Sequence, residues 1–117
     1  MKVKKIKDEM YKRDIYLVRD FDKPKFFKRF KDISFDETMD EFFRGYALEG
    51  RKKNGGGAWF ILLNKHKSKF EEQCTLVHEI FHLTLMIADY NGFEITRESD
   101  EPLAYYHEHL YRQIVCS

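Results

Sequence analysis

Twenty-two consecutive residues, Lys69 to Tyr90, contain neither glycine nor proline, and this run constrains the chain more than any other feature. Ser68 precedes it with Glu71 three positions on, the S-x-x-E form of an N-terminal capping box, and Asn91-Gly92 follows as a stop. A helix of that length spans about 33 Å, so in a chain of 117 residues the remainder must pack around it. Leu76, Val77, Ile80, Phe81, Leu83, Leu85, Met86 and Ile87 occupy most of its circumference, which predicts a central, buried helix. Cys74 is expected to be a small core residue within it.

A second helix is predicted from Ser99 or Asp100 to Val115. It has a polar cap, Pro102 in its first turn where a missing N–H costs nothing, and apolar residues at 103, 106, 110 and 114. Upstream, "RKKNGGGAWFILLN" joins a polar, glycine-rich connection to six apolar, β-favouring residues, the signature of a hairpin with strands near 43–49 and 58–64. Residues 2–12 read as a short basic helix, 14–20 as a strand, and 23–30 as a short helix opened by Pro24. Residues 36–43 fit one or two helical turns. The expected fold class is α+β, a small, mainly antiparallel sheet packed on two helices, with residues 1–117 as one domain.

Composition excludes several function classes. The longest apolar run, Ala58 to Leu63, is far short of a membrane span, and the N-terminal lysines lead into Asp8-Glu9 rather than an apolar segment, so neither a membrane protein nor a secretory signal is expected. Residues 1–53 carry sixteen Lys/Arg against eleven Asp/Glu, and residues 54–117 carry five against nine. The basic residues are interspersed with acids, which predicts a solvated basic surface and not a nucleic-acid face. Two cysteines are too few for a disulfide framework and suit a reducing, cytoplasmic compartment.

Inside the long helix lies His78-Glu79-Ile80-Phe81-His82. Residues four apart stand one turn above each other, so two imidazoles can close on one metal ion, while Glu79, about 100° round, sits beside that ion as a general base. The competing reading is a core helix whose histidines find other partners, but two imidazoles and a carboxylate buried without partners would cost several kcal/mol. Zn2+, one per chain, is therefore the expected cofactor. Cys74 cannot join the set, because it lies about 12 Å along the axis from His82. Leu85 and Ala88 stand where an extended motif would need glycine and a third histidine.

The third ligand must come from elsewhere, and "ESDEPLAYYHEHL" offers Glu98, Asp100, Glu101, His107, Glu108 and His109. Glu101 is favoured, since antiparallel packing of the second helix on the first could aim its first turn at the histidine pair. The alternative for Glu101 is an acid complementing the helix dipole, and His107 stays open as another ligand. Asp89, Glu98 and Asp100 are the nearby acids able to orient zinc-bound imidazoles.

His78-Glu79-x-x-His82 followed by Glu101 resembles the gluzincin pattern of zinc peptidases, with a spacing to the glutamate similar to that of the thermolysin-like group. More closely, "LVHEIFHLTL" and "SDEPLAYYHEHLYRQI" resemble small, often phage- or prophage-encoded metallopeptidases, over residues 58 to 115. The resemblance implies a minimal zincin-like fold, Glu101 as third zinc ligand, Glu79 as the base in peptide-bond hydrolysis, and the host cytoplasm as the site of action. Three protein ligands would leave the fourth position open, as in catalytic zinc sites. A peptide or protein is then the expected substrate. In such proteins the peptide lies along an edge strand beside the motif helix; residues 58–64 are the candidate, with an interior core strand as the equal alternative. Tyr105, Tyr106, His107 and His109 are candidates for stabilising the oxyanion. The rival function is a non-catalytic interaction protein on the same zinc-binding scaffold. A DNA-associated protease using the basic half is a weaker third.

Overall fold

The computed structural model describes residues 1–36, 39 and 43–116. Strands β1 (Lys2–Lys7) and β2 (Asp14–Arg19) precede helix α1 (Lys23–Arg29) and a short strand β3 (Ile33–Phe35). Strands β4 (Gly45–Lys52) and β5 (Gly57–Leu63) lead into helix α2 (Lys69–Tyr90), and helix α3 (Asp100–Val115) follows a single 3-10 turn at Arg97–Ser99. The five strands form one sheet in the order β1-β2-β5-β4-β3, antiparallel except for the β2–β5 pair. The fold is α+β.

Strand alternation divides the core into two faces. Ile15, Leu17, Trp59, Ile61 and Leu63 pack against α2 and α3, while Val18, Ala58, Phe60, Leu62 and Leu48 pack against α1 through Phe26 and Phe30. Every residue of β5 is buried, because β5 is paired on both sides and covered on both faces. Each such large apolar side chain contributes about 1.5–3 kcal/mol by leaving water. Of the two readings of 58–64, edge strand or interior strand, the second holds, and its continuous apolar run is that of an interior strand. The edge beside α2 is β4 instead. Strand β3 pairs only with residues 50–52, so among the described residues no strand covers the outer side of 45–49.

The long helix runs over 69–90 as the sequence predicts, and Ser68 Oγ accepts a hydrogen bond from the Glu71 N–H at 3.2 Å. The hairpin also forms, turning through Gly55 at φ +89°, a left-handed conformation that favours glycine. Residues 2–7 form a strand, not a helix. Val3 and Ile6 mimic a helical spacing, but pairing with β2 decides the conformation, and the four lysines suit an outer strand that must not recruit another. The predicted turns at 36–43 fall mostly outside the described residues.

Candidate metal centre

Helix α2 lies across β4 and β5 with Leu76, Ile80, Leu83 and Ile87 towards the sheet and α3. Its opposite side is open, so the expectation of an almost fully buried helix is corrected: Phe70, Val77 and Phe81 are exposed, and so is Cys74, which shares the face of His78. Both motif histidines are exposed as well; the buried member of the motif is Glu79, at 7% exposure.

His78 Nε2 and His82 Nε2 face each other at 3.2 Å. Two nitrogens bound at about 2.0–2.1 Å to one tetrahedral zinc ion stand about 3.3 Å apart, so the pair already has the bite a metal needs. Glu79 Oε2 lies 4.0 Å from His78 Nε2, and the ligand atoms of all three residues fall within 4.8 Å of one another. This donor set, two imidazoles with a carboxylate alongside, fits a zinc ion.

Glu79 occupies the seam between α2 and β4. Burial pushes its carboxyl above the usual carboxylate range, while the neighbouring His78 and His82 and a hydrogen bond from the Ala47 backbone N–H pull the other way. The close approach is possible because residue 45 is glycine: a β-carbon there would meet Thr75 Cγ2 at 2.5 Å and Glu79 Cγ at 3.0 Å. A cavity of about 480 Å³ opens over this seam, lined by Gly45, Tyr46, Ala47, the three motif residues, Leu85 and Met86.

Helix α3 packs antiparallel on α2, as the Asn91-Gly92 turn predicts. Thr84 Oγ1 meets His107 Nδ1 at 3.2 Å near one end, and Gln73 donates to the Tyr111 hydroxyl at 3.0 Å near the other. Glu101 stands exposed in the first turn of α3 and is not among the three groups that converge. The residues that α3 turns towards Phe81 and Leu85 include Asp100, Leu103, Ala104 and His107. The tyrosines and histidines considered for the oxyanion do not line the cleft over Glu79. Tyr106 donates to Asp8 at 2.8 Å, His109 Nε2 lies 3.6 Å from Asp8, His107 is held by Thr84 and the Phe81 ring, and Tyr105 is exposed beside Met10.

The sequence reading missed Gly45 and Ala47, which belong to the site by contact with Glu79. A lone glycine inside a strand pattern is the signal for close backbone approach, but nothing in the chain order says which helix approaches. The chain matches no protein-family profile, no curated protein and no solved structure.

Proposed function

We propose that the protein is a zinc-dependent peptidase in which His78 and His82 hold the metal and Glu79 is the general base. The observation that carries this reading is the 3.2 Å facing of the two Nε2 atoms beside a carboxylate that is buried and hydrogen-bonded to a strand edge. A metal-structural role alone needs the imidazoles but gives no reason for a buried glutamate 4.0 Å from one of them. Glu101 is the proposed third ligand, on the strength of the sequence resemblance.

Bound there, zinc would supply Lewis-acid polarisation of a peptide carbonyl and make a water acidic enough to react near neutral pH. The Glu79 carboxylate would take a proton from the attacking water and return it to the departing amine. Along 45–49 the outer side of β4 pairs with no strand among the described residues. Main-chain groups of that side other than the Ala47 N–H, which Glu79 holds, would take an extended peptide of almost any sequence and bring a scissile bond above Glu79. Among the described residues no helix is long and apolar enough to cross a membrane. Two exposed, unpaired cysteines support a reducing cytoplasm as the compartment.

The test is metal analysis and peptide-library cleavage on the purified protein and two variants. About one zinc per chain, retained in Glu79→Gln while cleavage disappears, is the expected result. Weakened zinc in Glu101→Ala supports the third ligand, and undiminished zinc removes it. Zinc binding with no cleavage of any peptide would favour the interaction-protein reading, and no zinc in the wild type sinks the proposal.

A further inference from the structure

The cavity over the seam continues into a second of about 350 Å³, shared through Gly45, His78 and Glu79, and the cleft they form has unlike ends. Leu85 and Met86 close one end; Arg44, Cys74 and Thr75 line the other. Among the described residues that line the cleft, Arg44 carries the only Lys/Arg charge, and Glu79 is the only carboxylate. The Arg44 guanidinium has no ion-pair partner among the described residues. Its backbone is fixed: the Arg44 carbonyl accepts from the Asn64 N–H at 3.1 Å, immediately before the β4–β5 ladder begins.

We propose that Arg44 is a specificity-determining residue that receives a carboxylate of the substrate on the C-terminal side of the scissile bond, an inference that rests on the peptidase reading above. Direction follows from the strand. A peptide pairing antiparallel with the outer side of β4, where no strand lies among the described residues, forms the more stable ladder per residue and runs from the Leu85–Met86 end towards Arg44. Residues before the scissile bond then meet an apolar wall, and residues after it pass over Thr75 to the guanidinium. The planar fork of arginine matches a carboxylate with two parallel hydrogen bonds. With zinc bound, the cleft as a whole is positive, which further favours an anionic partner over a lysine-bearing one. Either an Asp or Glu side chain or a free C-terminal carboxylate supplies this chemistry.

The experiment uses zinc-loaded Glu79→Gln for binding and zinc-loaded wild type for cleavage. The probes are peptides identical except for Asp, Asn or Lys one or two positions after the scissile bond, each as free acid and as amide. The Asp peptide is expected to bind about five-fold more tightly than its Lys counterpart, with the gap narrowing at high salt. Adding Arg44→Glu reverses the order, Arg44→Gln removes it, and Arg44→Lys keeps part of it. A gap between free acid and amide that disappears in Arg44→Gln assigns the carboxylate to the chain terminus; a gap that follows Asp assigns it to a side chain. Equal binding of all probes, or a preference untouched by Arg44→Glu, overturns the role of Arg44, and cleavage of those probes by the wild type leaves the peptidase reading standing. A retained, Arg44-dependent preference with no cleavage overturns the peptidase reading and leaves the carboxylate site. No binding of any probe overturns both.

Discussion

Gly45 lies directly against Glu79: a β-carbon at position 45 would stand 3.0 Å from Glu79 Cγ, and only 2.5 Å from Thr75 Cγ2 on the same face of α2. The missing side chain is what lets the helix settle on the strand and lets the Ala47 N–H reach the carboxylate. Gly45→Ala is therefore expected to lift α2 off β4, at a cost of about 1–3 kcal/mol. Zinc stoichiometry should survive, because His78 and His82 stand on the exposed side of the helix. Urea denaturation followed through Trp59, with metal analysis on the same sample, checks both halves. A variant as stable as the wild type would show that the seam is looser than these distances say.

A metal that binds the folded chain through His78 and His82 must stabilise it. At free zinc one hundred times its dissociation constant, mass action adds about 2.7 kcal/mol, a rise in Tm on the order of 10 °C for a domain of this size. His82→Ala should abolish that rise and leave the apo Tm within a degree or two, since the ring is exposed. Glu79→Gln should retain it. Thermal melts across a zinc titration measure this, and an equal rise in His82→Ala would place the metal elsewhere.

The legible parts of this fold are those governed by local rules. A capped run without glycine or proline gives α2, Pro102 and a polar cap give α3, and a glycine-rich connection before an apolar run gives the β4–β5 hairpin. The motif spacing likewise brings His78, Glu79 and His82 together, since one helix carries all three. What stayed hidden depends on partners distant in sequence. Residues 2–7 become a strand through pairing with β2, and β5 is interior because the chain, after β4, returns to lay β5 between β4 and the much earlier β2. Sidedness was the other gap. Val77, Phe81 and Cys74 read as core by residue type, yet they face away from the sheet and are exposed.

Asp14 couples stability to pH through contacts that do not involve the motif histidines. Burial alone would raise its pKa, but the Lys52 ammonium, hydrogen-bonded to it, and the nearby Lys5 and Lys7 outweigh burial and hold it below the ordinary carboxylate range. A folded pKa below the unfolded one means that this contribution is fully present above the unfolded value of about 3.9 and is lost as pH falls through the folded value. Asp14→Asn should accordingly cost about 1.5–3 kcal/mol at pH 7, and the gap from wild type should shrink steadily below pH 4. Paired urea titrations at pH 7 and pH 3 test the sign. A gap that widens on acidification would mean the lysines do not govern this carboxylate.

Tyr106 and Asp8 fasten the β1–β2 turn to α3. Asp8 is fully buried and accepts hydrogen bonds from the Met10 and Tyr11 N–H groups at 3.2 and 3.1 Å and from the Tyr106 hydroxyl at 2.8 Å. Tyr106→Phe keeps the ring, which meets Tyr11 edge-on at 5.0 Å, but strips a donor from a buried carboxylate. The expected loss is about 1–3 kcal/mol. Burial and the Asp8 charge also push the tyrosine pKa well above its ordinary value, so the folded state keeps the phenolic proton where the unfolded chain, above about pH 10, has released it. Stability of the wild type should therefore fall as pH rises past 10, and Tyr106→Phe should fall less steeply over the same range. Denaturation midpoints from pH 8 to pH 11 for the two proteins decide it. Parallel curves would show that the hydroxyl is not held by Asp8.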